Sequence, residues 1–280
     1  MKVTVVVDNC IMPKSKKPFR AEHGLSLLIE TESGRFLFDT GQSEVAVYNL
    51  ALLGVRPADL DAIILSHGHF DHTGGLAAVL VQAGKKLPVY CHPGAFADRY
   101  SSSGGAARYA GIPFAQKHLV SLGADFRPVE KPTELAPGLT ISGSIPRVTG
   151  YEPGDAFLLA AGPDGCCSGD RDTVPDDMAI FHAGEKGLTV ISGCAHSGIV
   201  NVIRHGLAVT GCSRLHAIVG GTHLGPVEKE QQEATLAELE GLQPAIVAAN
   251  HCTGFYMLAR LHGIFGARFV PAFVGTVLEV

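Results

Sequence analysis

Six consecutive residues, His67-Gly68-His69-Phe70-Asp71-His72, carry four side chains able to bind a metal ion, in the spacing H-x-H-x-D-H. In an extended segment residues two apart point to the same side, so His67 and His69 offer two imidazoles to one ion, half of a zinc site. Asp71 and His72 are adjacent and must diverge, which suits a second ion close to the first. Two such ions support Lewis-acid chemistry: activation of water, or stabilisation of charge on a leaving group.

Something must hold this motif in place. The apolar run Ala62-Ile63-Ile64-Leu65 predicts a strand that delivers it, and Gly74-Gly75 predicts a tight turn into a helix over Leu76 to Val81. Upstream, Leu25 to Glu30 and Arg35 to Asp39 flank Ser33-Gly34 as a hairpin, and Glu44 to Leu53 predicts a helix ending at Gly54. Lys85 to Cys91 reads as a strand. The stretch from Gly94 to Phe126, rich in Ser, Gly and Ala with weak periodicity, predicts helical pieces and loop suited to covering a site. Leu188 to Ser192, Leu215 to Val219 and Ala245 to Ala249 predict buried strands, and Glu228 to Leu239 and Gly254 to His262 predict helices.

Those three strands each run out into a histidine: His196, His223 and His251. Ligands in sheet-based enzymes gather where strands end in loops, so all three are candidates, the alternative being a hydrogen-bonded structural histidine. His92, His118, His182, His205, His216 and His262 lack such a setting and read as structural or surface residues.

The chain has 280 residues, 46% of them hydrophobic, enough for one large α/β domain over residues 1–280 with no linker, repeat or low-complexity block. A net charge of −5 gives no reason to expect nucleic acid as a partner. Neither a basic leader region nor an apolar run of membrane-spanning length is visible, and the seven cysteines are odd in number without paired spacing, which predicts reduced thiols and a cytoplasmic protein. The expected partner is a small-molecule substrate; oligomeric state is left open.

Ser66 to Gly75 resembles the signature of the metallo-β-lactamase fold superfamily, and Leu37-Phe38-Asp39-Thr40-Gly41 is similar to its first motif. The resemblance implies a four-layer αββα sandwich with a metal site at one edge. It implies that Asp39 orients metal ligands, that His196 joins His67 and His69 on one ion, and that His251 joins Asp71 and His72 on the other. Many members also carry an aspartate bridging both ions. Asp170, Asp172, Asp176 and Asp177 are the candidates for it, with Gly169-Asp170-Arg171-Asp172 equally readable as a surface turn. His223 is then an extra ligand or a proton carrier. Zinc, as two ions, is the expected cofactor, with manganese or iron as other candidates, and His69 stands where an oxygen-reducing di-iron relative would carry glutamate. Cys194 and Cys252, beside two of these histidines, read as small buried residues or soft ligands.

Glu22-His23-Gly24-Leu25-Ser26, Ser192 to Asn201, Gly221-Thr222-His223-Leu224 and His251-Cys252-Thr253-Gly254 further resemble a subgroup typified by an archaeal enzyme of methanopterin synthesis. The resemblance implies a transferase joining a hydroxymethyl-dihydropterin diphosphate to a ribofuranosyl-aminobenzene phosphate. The leading expectation is a metallohydrolase acting on a small phosphorylated or ester substrate; that condensation and a non-catalytic metal or ligand sensor are the alternatives. Asp71 and His223 are the expected catalytic residues. His23 and Arg147 are candidates for the substrate pocket, while Lys14, Lys16, Lys17 and Arg20 read as a solvated loop.

Overall fold

The computed structural model describes residues 1–103 and 105–280. Two sheets dominate it. The larger has seven strands in the order Val277–Glu279, Lys2–Val7, Ser26–Thr31, Gly34–Phe38, Ala62–Ile64, Leu87–Cys91, Ala124–Pro128. The other has six: Ile246–Asn250, Leu215–Gly221, Gly187–Ser192, Ala179–Gly184, Leu139–Ile141, Thr133–Ala136.

Neighbouring residues of these strands face different cores, which explains their nearly continuous apolar sequence. Ile64, Phe36 and Phe38 meet Ile180, Ile191 and Val219 between the sheets. Ile63 and Leu37 point outward to Leu50, Leu76, Val79 and Leu80 on the helices Val45–Leu53 and Leu76–Ala83. On the far side Val190 and Ile218 pack on Ile203, Leu239 and Leu261 of the helices Ile199–Thr210, Lys229–Leu242 and Gly254–Phe265. Helix, sheet, sheet, helix is the αββα sandwich. Cutting Ile64 or Ile191 back to alanine in the central layer would cost about 2–5 kcal/mol.

In each sheet the strands nearest the motif run parallel. Gly34–Phe38 pairs with Ala62–Ile64, opening at the same edge into Asp39 and Ser66-His67. Gly187–Ser192, Leu215–Gly221 and Ile246–Asn250 are parallel neighbours, and their carboxyl ends lead into His196, His223 and His251 side by side. The predicted hairpin is present as Ser26–Thr31 and Gly34–Phe38, and the predicted helix ends at Gly54 in a left-handed conformation. Gly74 and Gly75 act differently from the predicted turn: both are right-handed helical, and a Cβ on either would overlap carbonyl oxygens of Gln42 or Thr40. Close approach of two loops, not a tight turn, demands glycine there.

Residues 94–126 differ more. Among the described residues they hold one α-helix, Gln116–Ser121, and the short strands Arg99–Ser101 and Arg108–Tyr109. These strands join Leu158–Ala161 and Cys167–Arg171 in a separate four-stranded sheet. Arg99–Ser101 pairs with Leu158–Ala161, far downstream, so no local periodicity could announce the sheet. The helix Ile199–Thr210 was also not predicted, because its amino-terminal cap is remote: Glu152 accepts from Val200 N and Asn201 N, both at 3.0 Å.

Candidate metal centre

Two donor groups meet at the shared edge of the sheets. In the first, His67 Nε2 lies 2.9 Å from His69 Nδ1 and 3.1 Å from His196 Nε2. In the second, His251 Nε2 lies 3.2 Å from His72 Nε2 and 3.3 Å from Asp71 Oδ2. Donors at about 2.05 Å from a tetrahedral ion stand about 3.3 Å apart, so these spacings are close to the edges of a loaded site. His69 Nε2 and His196 Nδ1 are buried without a hydrogen-bond partner among the described residues. The donor sets, three imidazoles and two imidazoles with a carboxylate, fit a divalent cation.

Asp39 governs both groups. Its Oδ2 accepts from His72 Nδ1 at 2.7 Å and from Ser66 Oγ at 2.7 Å, and Ser66 Oγ in turn lies 2.8 Å from His67 Nδ1. Both imidazoles are thereby held with Nε2 toward the partner nitrogens. A Cβ at Gly193 would collide with Ser66 and crowd Asp39, so glycine makes room for this relay. Asp39, Ala195, His223 and His251 all have left-handed backbone, with φ between 50° and 61°; four strained residues thus border the site.

Charge divides the groups. Burial pushes His67 and His196 well below the usual imidazole range, and His69 to about 3. Burial also opposes protonation of His72, but Asp39 and Asp71 outweigh it and raise His72 to about 9. Asp71 is itself held well below the ordinary carboxylate range, the neighbouring His72, His23 and His251 overcoming its burial.

The proposed bridging acids are elsewhere. Asp176 accepts from Gly68 N at 2.8 Å and from Arg99 Nη1 at 2.8 Å; Asp177 accepts from Ser197 N at 2.9 Å. Asp172 accepts from Val174 N, and Asp170 is exposed on the strand Cys167–Arg171 rather than in a turn. Asp176 and Asp177 brace the loops that carry His67 and His196 from behind. Arg147 is a second correction: it donates to the carbonyl oxygens of Glu152, Thr173 and His196, and is spent on those loops instead of facing the pocket.

His223 lies against His196, ring centroids 4.1 Å apart, and its Nε2 is 3.4 Å from Asp155 Oδ2. Burial works against its charge, yet Asp155 and Cys252 raise it to about 9. Asp155 was not foreseen from the sequence. Nor were Asp8 and Asn9, which accept from His251 N at 2.9 Å and from His251 Nδ1 at 3.0 Å. A polar pair directly after the valine strand was the signal available for those two.

A cavity of about 550 Å³ opens over the donors, lined by His23, His69, Asp71, His196, His223 and His251 among others. His23 Nε2 is 3.3 Å from Asp71 Oδ2. Ser101, Arg108 and Leu158 of the small sheet form the opposite wall, so the stretch after Gly94 does cover the site, as strands. Among the described residues no helix is long and apolar enough to cross a membrane.

Comparison with known proteins agrees with this arrangement. The chain is 33% identical over 246 residues to the 7,8-dihydropterin-6-methyl-4-(β-D-ribofuranosyl)-aminobenzene-5'-phosphate synthase of Methanocaldococcus jannaschii, covering 85% of this chain and 83% of that one. It is 32% identical to a second, uncharacterised M. jannaschii protein across 99% of this chain and all of the other. A crystal structure of a metal-dependent hydrolase of the β-lactamase superfamily superposes with a TM-score of 0.84 at 26% identity, over 100% of this chain and 99% of that chain. Residues 20–251 match the family model of the metallo-β-lactamase superfamily, and the chain belongs to that superfamily.

Proposed function

We propose that the protein is a binuclear metallohydrolase acting on a small phosphorylated or ester substrate. The observation that carries this reading is the convergence of His67, His69 and His196 beside Asp71, His72 and His251 at one cavity, which His69, Asp71, His196 and His251 line. Divalent cations, zinc first among them, would supply Lewis-acid polarisation of the scissile group and activation of water. The chain's own residues do the rest. Asp39 fixes the rings of His67 and His72 before substrate arrives. Asp71, on the cavity wall, orients the attacking water and is itself steadied by His23. His223, kept as an imidazolium by Asp155, donates a proton to the departing oxygen. The small sheet limits access of bulk solvent.

A second reading is condensation of a pterin methyl diphosphate with an arylamine, favoured by the 33% identity to the M. jannaschii synthase. The cavity of about 550 Å³ lies within the ordinary range for ligands of that size. In that reaction the leaving group is diphosphate and exclusion of water becomes essential.

Metal analysis of protein purified without added metal, paired with His69→Ala and His251→Ala, tests the centre. Near two equivalents, falling in both variants, is the expected result. One equivalent or less, unaffected by His251→Ala, would overturn the binuclear reading in favour of a mononuclear or degenerate site and strengthen the case for a binding-only sensor. Loaded protein is then assayed on phosphomonoesters, phosphodiesters, lactones and thioesters, and on a pterin methyl diphosphate with and without an arylamine. Hydrolysis without acceptor selects the first reading; diphosphate release only with the amine selects the second.

A further inference from the structure

Two sulfur atoms lie within the centre, and they are held differently. Cys252 Sγ is engaged by backbone: it accepts from His223 N at 3.3 Å and faces Cys194 O at 3.5 Å. It ties together the loops that follow the three parallel strands. Cys194 Sγ has a different contact, His72 Nε2 at 3.1 Å, and Cys194 is buried. His72 Nδ1 is already committed to Asp39, so Nε2 is the nitrogen left to bind. The sulfur of Cys194 and the nitrogens of His67 and His72 lie within 4.8 Å of one another. His67 belongs to the first donor group and His72 to the second, so Cys194 stands where the two groups adjoin.

The carboxylate nearest that place is Asp71 of the second group, its Oδ2 3.7 Å from His72 Nε2. All four aspartates that might have bridged are turned to backbone amides, to Arg99 or to solvent. An anionic donor between two cations that share a site offsets their repulsion, and in the group formed by His67, His72 and Cys194 the sulfur is the atom able to take that part. An ion bound to sulfur at about 2.3 Å and to nitrogen at about 2.05 Å separates them by about 3.6 Å, and a small opening of the observed contact reaches that value.

We propose that Cys194, as a thiolate, is a metal ligand of this centre, set between the two histidine groups in the role other superfamily members give to an acid, with Cys252 as a loop fastener and not a ligand. This rests on the reading that His67, His69, His196, Asp71, His72 and His251 hold metal. The cation would be held by both Cys194 Sγ and His72 Nε2, and the proton on each would leave to solvent as it binds. A soft anionic donor also favours zinc or cobalt over manganese or magnesium.

Cobalt(II) substitution tests the assignment without relying on turnover. Visible ligand-field bands report that the centre is loaded; a near-ultraviolet sulfur-to-cobalt charge-transfer band reports a thiolate in the coordination sphere. Both are expected in the wild type. Cys194→Ser should lose the charge-transfer band while keeping its visible bands, and Cys252→Ser should keep both. Visible bands without charge transfer in the wild type would overturn the ligand assignment and leave the metal reading standing. A charge-transfer band that survives Cys194→Ser and vanishes in Cys252→Ser would overturn it too. Failure of the folded wild type to take up cobalt, zinc or manganese would overturn both.

Discussion

The two donor groups differ in the protonation that their surroundings impose on them. His67, His69 and His196 are kept neutral by burial, so their lone pairs are available at neutral pH. In the second group the carboxylates of Asp39 and Asp71 outweigh that same burial, and His72 is raised to about 9. A metal ligand must be deprotonated, so the first group is ready and the second must shed a proton. One edge of one fold thus presents two preparations of the same side chain, decided by how many carboxylates reach it.

The most severe test of that contrast removes what the groups share. Asp39→Ala should lower metal affinity at both groups by about 10–100-fold, whereas Asn9→Ala, whose side chain meets His251 of the second group and neither His67 nor His72, should weaken the second group alone; competitive titration with a chromogenic chelator distinguishes them. Equal losses in the two variants would dissolve the contrast.

Proton release is a second test. With His72 raised to about 9, it is protonated at pH 7 in the metal-free protein, so filling the second group should release the His72 proton and weaken as pH falls below about 9. With His69 at about 3, occupancy of the first group should be nearly independent of pH between 6 and 8. Calorimetry in buffers of different ionisation enthalpy measures both steps, and His72→Ala should remove the share that comes from His72, leaving that of the Cys194 thiol.

A smaller effect concerns the acid behind the first group. Burial raises Asp177 to about 6 from an ordinary 3.8, so the folded protein binds its proton more tightly than the unfolded chain. The stabilisation this provides is present below about pH 4 and lost as pH rises to about 6, leaving a cost of roughly 3 kcal/mol at neutral pH. Asp177→Asn should therefore raise metal-free stability at pH 7 by about 1–3 kcal/mol, with the advantage gone near pH 4, in urea unfolding. At the bottom of the scale stands Arg260→Ala. Its pair with Glu233 is on the surface, and the change should move stability by less than about 0.5 kcal/mol and metal affinity not at all.

Legibility from sequence followed the same divide between local and distant contacts. His67 to His72 could be read because a strand and a turn of a few residues set their geometry; His196 and His251 could be read because each follows an apolar strand. Arg147 misled because an arginine near the candidate acids is equally suited to phosphate and to carbonyl oxygens, and only the fold chose the latter. Asp176 and Asp177 misled for a similar reason: proximity to the ligands was real, but to their backbone. The cover could not be read as a sheet, since Arg99–Ser101 finds its partner in Leu158–Ala161. Nor could Asp155, whose meaning depends wholly on His223 arriving beside it.

One carboxylate touching His72 directly and His67 through Ser66 has a thermodynamic corollary. Energies of substitutions in the two groups cannot add, because each change also alters the orientation that Asp39 can offer the other. A double-mutant cycle of Ser66→Ala with His72→Ala should leave a residual of about 0.5–3 kcal/mol in metal-binding free energy. By reciprocity, whatever ordering the first cation imposes on Asp39 is returned in the affinity for the second. The pair of cations would then be taken up cooperatively, through an oxygen atom that touches neither.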